Sequence, residues 1–303
     1  MMTELETFKP GHEFFVGVDS DGCVFNTMEM KHKKVFIPLA IEVWGLKGIE
    51  KQFTETAEFV NLYSCLRGTN RFPALLETFR LMENRKDMKD HFHELPAYEG
   101  LKDFCRSAKS YSNQELRRYM ETQKGTFLEE LLYWSEEGDR RMKKESEGNQ
   151  PFPHVKRALE RMSGLCDTMI VSAAASSALE FEWGQCGILE YMDLCAGQEH
   201  GSKIKQLSAA GKKGYPQGHA LMIGDSPGDL KAAKENGMLF YPIVPRDEAL
   251  SWKEFSEKVF DAFLDGRYEG EWERKLIGEF MEAQPACVLW ETLDGEVSIQ
   301  YEI

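Results

Sequence analysis

The fold is decided by the segment FFVGVDSDGCVFN, which runs from residue 14 to residue 26. Two aspartates, Asp19 and Asp21, directly follow an apolar run, and Gly22 comes next. Aspartate is a poor strand former, and two carboxylates so close together repel each other. The segment therefore predicts a strand within residues 13–25 that ends in an Asp-x-Asp-Gly turn, with carboxylates that serve something other than the strand.

On the C-terminal side of this strand the spacing of apolar residues changes. Residues 26–149 carry apolar side chains at three- and four-residue spacing, which predicts a helical block without a buried strand. From residue 152 onward, short apolar strands alternate with helices, a rhythm typical of a parallel sheet with helices on both faces. The first strand thus belongs with this α/β region, and the helical block separates it from its companions.

The last part of the chain, residues 247–303, predicts two helices and then a hairpin whose tight turn is the Asp-Gly pair at 294. We therefore expect an α/β protein in three parts. These are a core formed by residues 1–25 and 152–246, a helical domain over 26–151, and a C-terminal extension over 247–303. The sequence does not indicate what the extension does.

Composition and charge disfavour several classes of protein. The 303 residues are 42% hydrophobic and 29% charged, as in ordinary globular chains, and the net charge of −14 disfavours nucleic-acid or membrane partners. Seven scattered cysteines without a C-x-x-C pair are typical of reduced thiols, and no window reaches the roughly 18 apolar residues of a membrane helix. The start of the chain lacks the apolar core of a signal peptide, so we expect a cytoplasmic protein. Its oligomeric state stays open.

Polar residues also close later strands. Ser172 ends the run MIVS, Asp225 ends LMIGD, and the helix SKIKQL offers Lys203 or Lys205. The carboxyl ends of parallel strands meet at one edge of a sheet, so these side chains are expected near Asp19. Converging carboxylates require compensation, and an all-oxygen site of this kind suits Mg²⁺. One carboxylate beside such an ion can attack phosphorus, and a second can move a proton to and from the reacting groups.

Together these motifs resemble those of the haloacid dehalogenase superfamily. Four segments carry the resemblance: VGVDSDGCVF, MIVS, GSKIKQL and MIGDSPGDLKAAKENGM. They cover the first strand and most of residues 165–245, and the last segment is the most distinctive. The resemblance implies a Rossmann-like three-layer core, a helical cap domain inserted between the first and second motifs, and Mg²⁺-dependent phosphoryl transfer through an aspartyl-phosphate intermediate.

The resemblance also implies a role for each matching carboxylate. Asp19 would be the nucleophile and a metal ligand. Asp21 would be the general acid/base, and its backbone carbonyl would also reach the metal. Asp225 would be a further metal ligand, with Asp229 either a ligand or a partner that supports one.

Two more positions would bind the phosphate of the substrate. Ser172 would bind a phosphoryl oxygen, and Lys203 would bind both phosphate and the charge of the nucleophile, although Lys205 could serve instead. Cys23 and Asn26 depart from the family pattern, which often has threonine and an acidic residue there. Neither of these two positions carries the chemical step.

Asp21 selects a branch of the superfamily, because its dehalogenases and phosphonate hydrolases lack this second aspartate. The predicted function is hydrolysis of a small phosphorylated metabolite. The alternatives are a phosphomutase and a catalytically idle module that binds a partner. In the loop YSCLRGTNRFP of the cap, Arg67, Asn70 and Arg71 are candidate specificity residues for an anionic or polyol substrate. Alternatively, these arginines pair with acidic groups on the protein surface. The sequence does not identify the substrate.

Overall fold

The computed structural model describes residues 5, 7–211, 213–293 and 295–299. The chain divides into two compact units, Met1–Met28 with Gly148–Ala283 and Glu29–Glu147 with Gln284–Ile303. The second unit thus contains almost all of the helical insertion expected over residues 26–151. The expected C-terminal extension, 247–303, is shared between the two units.

The first unit is built on a parallel sheet, which has five strands in the described part of the chain, in the order β3-β2-β1-β4-β5. The strands are β1 (Phe14–Val18), β2 (Cys166–Val171), β3 (Leu194–Ala196), β4 (Ala220–Gly224) and β5 (Leu239–Pro242). The central strand is β1, in which Val18 pairs with Ile170 of β2 and Ile223 of β4. The carboxyl ends of β1 and β4 are therefore neighbours.

Helices make up most of the remaining regular structure. In chain order they are α1 (Thr27–Glu29), α2 (Ile37–Val43), α3 (Glu50–Leu62), α4 (Arg71–Met82), α5 (Glu99–Ser107), α6 (Asn113–Met120), α7 (Thr126–Glu145), α8 (Val155–Ser163), α9 (Ser176–Gln185), α10 (Lys203–Gly211), α11 (Pro227–Glu235), α12 (Glu248–Glu254), α13 (Phe260–Leu264) and α14 (Glu271–Glu282). Two π-helical segments join α1 to α2 and α12 to α13, namely Met30–Phe36 and Phe255–Val259. Short 3₁₀ turns occur at Leu46–Ile49, Lys86–Met88, Phe92–Glu94, Leu189–Tyr191 and Gln198–His200.

Both faces of the sheet are buried. Val16 and Val18 of β1 belong to an apolar cluster with residues of α8, α9, α12 and α13, whereas Phe15 belongs to a second cluster with residues of α10, α11 and α14. Successive side chains of a strand point to opposite faces, so β1 must be apolar on both. This three-layer arrangement confirms the α/β, Rossmann-like fold class.

The second unit is helical, as expected. Its main apolar cluster includes Phe53, Phe79 and Trp134, and a smaller one places Trp290 against Phe59, with ring centroids 5.3 Å apart. Two backbone bonds pair segments of the tail: the Val288 amide donates to the Val297 carbonyl, and the Ile299 amide to the Ala286 carbonyl. Asp294 of the expected turn lies outside the described residues.

The described part of the chain contains no helix that is both long enough and apolar enough to cross a membrane. The seven cysteines all lie within the described residues and are free thiols.

Candidate active site

The turn after β1 presents the two aspartates of the first motif. The Asp19 amide donates to the Ile223 carbonyl at 3.0 Å, which extends the pairing of β1 with β4 to this residue. Asp19 is buried, and Asp21 is half-buried. Gly22 has a φ of 78°, in the left-handed region that glycine adopts without steric cost. The glycine therefore lets the chain turn immediately after Asp21.

The side chain of Asp21 has a fixed partner. The hydroxyl of Thr27, a buried residue at the start of α1, donates to Asp21 Oδ1 at 2.7 Å. Glu182 of α9 adds negative charge close by: burial, followed by the charge of Asp21, raises the pKa of Glu182 to about 7. The Asn149 amide lies 3.4 Å from Glu182 Oε1 and opposes this rise.

Two further buried carboxylates follow β4: Asp225 directly after the strand and Asp229 in the first turn of α11. Ser226 caps α11, and its hydroxyl donates to Asp229 Oδ2 at 2.7 Å while its oxygen accepts from the Asp229 amide, a capping box. A Cβ added at Gly224 would collide with the Asp229 side chain. Glycine at the end of β4 is therefore what allows Asp229 to fold back beside the strand.

One lysine joins the two strand ends. Lys203 Nζ lies 2.8 Å from Asp19 Oδ1 and 2.6 Å from Asp229 Oδ1. Burial by itself would lower the pKa of Lys203, but the charges of Asp19 and Asp229 outweigh it and raise that pKa. Lys205, the alternative, is exposed on the same helix. Of the two candidates, Lys203 is the one that the structure brings to Asp19.

The electrostatic balance of the site is negative. Asp19, Asp225 and Asp229 place one carboxylate oxygen each within 4.8 Å of one another. Burial, followed by the charge of Asp229, raises the pKa of Asp19 well above its usual range; Lys203 opposes this, and Asp225 adds to it. One ammonium cannot neutralise three carboxylates. This all-oxygen donor set fits a hard divalent cation.

The three carboxylates are not equivalent. Both oxygens of Asp229 already accept hydrogen bonds, Oδ1 from Lys203 and Oδ2 from Ser226. This pattern favours Asp229 as the residue that holds Lys203 in place.

Ser172 follows β2 and is buried. Its Oγ accepts from the Ala174 amide at 3.1 Å, and its carbonyl accepts from Nε2 of Gln206 at 2.9 Å. The same Nε2 lies 2.9 Å from the Gly197 carbonyl and 3.0 Å from the Gly201 carbonyl. One side chain of α10 thus ties the end of β2 to the loop that precedes Lys203's helix.

The cap candidates lie in the second unit, around the start of α4. Asn70 caps this helix, because its Oδ1 accepts from the Phe72 amide at 3.1 Å. Its Nδ2 donates to the Tyr111 carbonyl at 2.8 Å. Arg67 is buried and donates to the Leu62 carbonyl at 3.0 Å. These bonds connect the loop to its own unit.

Arg71 has partners on α7 and in the π-helical segment Met30–Phe36, which directly precedes α2. Its Nη1 lies 2.6 Å from Asp139 Oδ1 and donates to the Ser135 carbonyl at 3.0 Å. Its guanidinium lies 4.8 Å from the centroid of the Phe36 ring. A contact of Arg67, Asn70 or Arg71 with substrate stays a prediction.

Arg71 also lines a small cavity within the second unit, with a volume of about 20 Å³. The other polar residues of the lining are His32, Asn61 and Thr78, and aromatic ones include Phe36 and Trp134. Burial, followed by the charges of nearby Lys31, Arg67 and Arg71, lowers the pKa of His32. The imidazole is therefore neutral at pH 7.

Sequence reasoning missed several residues that support this site. The spacing of Ser226 and Asp229 before a helix is a capping-box signal and could have revealed that pair. Thr27 and Gln206 carried no comparable signal, because their partners lie on other turns or strands. The functional carboxylates stood out in the sequence, whereas the residues that hold them did not.

A parallel sheet whose adjacent strand ends bring together an Asp-x-Asp turn, a second pair of carboxylates and a bridging lysine defines a Rossmann-like hydrolase core. A family model described as haloacid dehalogenase-like hydrolase matches residues 97–243. This segment of the chain thus matches the hydrolases of the haloacid dehalogenase superfamily. The matched segment contains Ser172, Lys203 and Asp225. It begins at residue 97 and therefore does not include Asp19.

Solved structures of the superfamily are similar to the chain at low identity. The β-phosphoglucomutase from Clostridium difficile is 14% identical, with 84% of this chain and 97% of that chain covered and a TM-score of 0.47. A subfamily IA hydrolase from Geobacter sulfurreducens is 13% identical, with coverage of 77% and 88% and a TM-score of 0.39. A haloacid dehalogenase-like hydrolase from Streptococcus pneumoniae is 15% identical, with coverage of 79% and 90% and a TM-score of 0.39. Curated proteins gave no significant match. Likeness at this level identifies no substrate.

Proposed function

We propose that the protein is a Mg²⁺-dependent phosphatase that hydrolyses a small phosphomonoester through an aspartyl-phosphate intermediate. The observation that carries the proposal is the convergence of three buried carboxylates, of which Asp19 and Asp229 contact the ammonium of Lys203. Asp21, two residues from Asp19, supplies a second carboxyl group with a fixed orientation. Nucleophile, proton carrier and phosphate-binding cation are thus present on one sheet edge.

In the first step, an oxygen of Asp19 attacks phosphorus and the bond from phosphorus to the ester oxygen breaks. Lys203, 2.8 Å from Asp19 Oδ1, opposes the rise in the pKa of this carboxyl group that burial causes, and it offsets charge on the phosphoryl oxygens. The hydroxyl of Ser172 binds a phosphoryl oxygen. The substrate's alcohol is the leaving group.

Asp21 moves the proton in both steps. It donates a proton to the departing alcohol oxygen, and then accepts one from the water that attacks the phosphoenzyme. The second step releases inorganic phosphate and restores Asp19. The hydrogen bond from Thr27 keeps the Asp21 carboxyl group in a single orientation for both transfers.

Asp19, Asp225 and the backbone carbonyl of Asp21 would hold the Mg²⁺. When bound, the ion supplies positive charge that offsets the carboxylates and the phosphoryl oxygens. Asp229 holds Lys203, since its two oxygens accept from Lys203 and Ser226. The raised pKa of Asp19 is the physical sign that this site needs more positive charge than Lys203 provides.

The cap candidates would set specificity. Arg71 shares a cavity with the neutral imidazole of His32, and this polar lining supports recognition of an anionic or polyol group by Arg71. Arg67 and Asn70 would shape the loop that carries it. The net charge of −14 supports a free metabolite as substrate, with no nucleic-acid or membrane partner.

The test is phosphate release from a broad panel of phosphate esters, with Mg²⁺ and with a chelator. Asp19→Asn is expected to lower the rate by about 10⁴-fold or more. Asp167→Asn is the matched control, because Asp167 is also a buried β-strand carboxylate but accepts from the Tyr215 hydroxyl and the Gly11 amide instead. It should remain active.

Three outcomes would contradict the proposal. Mg²⁺-dependent release could be absent for every ester, or Asp19→Asn could match the parent protein; in either case the phosphatase fails. Conversion of a sugar phosphate into its isomer without net phosphate release would identify a phosphomutase instead.

A further inference from the structure

Two buried tryptophans hold the Asp-x-Asp turn from either side of Asp21. The indole N–H of Trp183 donates to Ser20 Oγ at 3.0 Å, and that of Trp252 donates to the Cys23 carbonyl at 2.8 Å. Ser20 directly precedes Asp21, and Cys23 comes two residues after it. Both tryptophans are 0% exposed. The proposed reaction makes no direct use of either side chain.

The two tryptophans come from distant parts of the chain. Trp183 lies in α9, and Trp252 lies in α12, within the C-terminal extension. Both belong to the same apolar cluster, where Trp183 packs edge-on against Phe25 and Trp252 edge-on against Phe255. Close-packed rings of this size have little freedom to move. The position of each N–H is therefore set by the core and not by the turn.

The turn's own backbone bonds close it but do not reach α9 or α12. The Ser20 carbonyl accepts from the amides of Val24 and Phe25 at 2.9 and 3.2 Å, and the Gly22 amide donates to the Phe25 carbonyl at 2.9 Å. The indole bonds add an attachment to two helices. A buried N–H without an acceptor is costly, so each bond restrains the turn as well as the ring.

We infer that Trp183 and Trp252 are positioning residues for Asp21: by fixing Ser20 and Cys23 they set the place of the carboxyl group that moves the proton. The inference rests on the proposed function. It gives the C-terminal extension a part in the active site through α12. It also assigns Cys23 a purpose through its carbonyl oxygen, independent of its thiol.

Proton transfer makes this placement measurable. The donor must lie within about 2.6–3.2 Å of the leaving oxygen, and a displacement of about 1 Å can cost about a hundredfold in rate. An alkyl phosphate has a poor leaving group that requires the proton of Asp21. The nitrophenolate of p-nitrophenyl phosphate departs without it. Loss of positioning should therefore affect the two esters differently.

The variants are Trp183→Phe and Trp252→Phe, which remove the indole N–H and keep an aromatic ring. Tyr268→Phe is the matched control: it removes a buried hydroxyl that donates to the Phe240 carbonyl at 2.7 Å, in the same apolar cluster but away from the turn. The quantity to measure is kcat/KM for an alkyl phosphate and for p-nitrophenyl phosphate. This constant reports the steps up to departure of the leaving group.

Each tryptophan variant should lose about tenfold or more in kcat/KM for the alkyl ester and less than about threefold for p-nitrophenyl phosphate. Tyr268→Phe should change kcat/KM for either ester by no more than about twofold. Equal losses for both esters, or losses no larger than those of Tyr268→Phe, would overturn the inference. Ser20→Ala removes the acceptor and keeps both tryptophan rings, and it should reproduce the pattern of Trp183→Phe with no additional loss in the double variant.

A second measurement does not depend on activity. Hydrogen–deuterium exchange of the peptide that contains residues 20–25 should be faster in Trp183→Phe and Trp252→Phe and unchanged in Tyr268→Phe. Unchanged exchange in the tryptophan variants would refute the positioning role of Trp183 and Trp252 even if the enzyme is a phosphatase. If the parent protein releases no phosphate from any ester, the proposed function fails, and exchange alone decides whether the tryptophans hold the turn.

Discussion

Two groups of polar residues in this chain differ in how well their charges are compensated. The carboxylate cluster (Asp19, Asp225 and Asp229) brings three buried acidic groups together, and two of them, Asp19 and Asp229, contact the ammonium of Lys203. The arginine loop (residues 63–73) has internal partners for its polar side chains, among them an ion pair of 2.6 Å between Arg71 and Asp139. Burial and like charge raise the pKa of Asp19, whereas Arg71 lies beside a carboxylate of opposite charge.

Under the proposed function, this difference marks where the chain gives up stability for chemistry. Buried like charges cost free energy unless a counter-charge or hydrogen bonds compensate for them. The carboxylate cluster is therefore informative about chemistry, because it makes the fold less stable. The arginine loop stabilises its unit whether or not it binds substrate, so only a variant can separate its two roles.

The largest loss of stability is expected from Lys203→Met, because this change removes the positive charge that compensates Asp19 and Asp229. Asp19 and Asp229 would remain buried without their ammonium, so the free energy of unfolding should fall by about 3–5 kcal/mol. The catalytic efficiency with phosphate esters should fall by about 10³-fold or more. Chemical denaturation and phosphate release measure the two effects.

Lys205→Met is the matched control for this change. Lys205 is exposed on the same helix, so its replacement should alter the free energy of unfolding by no more than about 0.5 kcal/mol. Comparable losses for the two variants would show that the choice of Lys203 over Lys205 is wrong.

Gly224→Ala tests whether the cluster depends on close packing at the end of β4. The new methyl group would collide with the side chain of Asp229, so we expect the free energy of unfolding to fall by about 3 kcal/mol. At Gly228, by contrast, an added Cβ would have Ser226 Oγ as its nearest neighbour at 3.5 Å, an ordinary contact. Thermal unfolding of Gly224→Ala and Gly228→Ala should therefore differ clearly. Equal stability would mean that Asp229 can move aside freely.

Most of the cluster could be predicted from the sequence, for a reason that the sheet makes plain. Apolar runs that end in aspartate mark strand ends, and parallel strands bring those ends to one edge; β1 and β4 are in fact neighbours. The choice of Lys203 depends on where α10 begins, which a single sequence fixes poorly. The indole bonds of Trp183 and Trp252 could not be predicted, because they join residues 163 and 229 positions apart.

The division of the C-terminal extension between the two units could not be predicted from the sequence either. Its helices show the same amphipathic spacing whichever core they cover, and residues 284–299 contain no motif that names their partner. Their contacts, such as Trp290 with Phe59, depend on the surface that the second unit presents after folding. Local patterns specify elements, while the pairing of elements is a property of the whole chain.

Glu182→Gln tests how far the cost of crowded carboxylates extends towards Asp21. Burial, followed by the charge of Asp21, raises the pKa of Glu182 in the folded state to about 7. Because this pKa lies above the unfolded value, the proton is bound more tightly by the folded state. The associated stability is complete below about pH 4.5 and is lost as the pH rises through about 7.

The variant should therefore match the parent protein near pH 5 and exceed it at pH 8, with a difference of about 2 kcal/mol in the free energy of unfolding. Denaturant titrations at both pH values measure this. Glu180→Gln, on the exposed side of the same helix, should show no such pH-dependent gain. A gain for Glu182→Gln that is equal at both pH values would rule out titration of Glu182 as its cause.

The smallest effects are expected in the arginine loop, where they separate recognition from structure. Arg71→Met removes the guanidinium from the cavity that it shares with His32, so KM for the best phosphate ester should rise about tenfold with kcat within about twofold. Asn70→Ala removes the cap of α4 together with the bond to the Tyr111 carbonyl, and it should lower the free energy of unfolding by about 1 kcal/mol with KM unchanged. If Arg71→Met behaves like Asn70→Ala, the ion pair with Asp139 is the whole role of Arg71, and the loop differs from the carboxylate cluster in function as well as in charge balance.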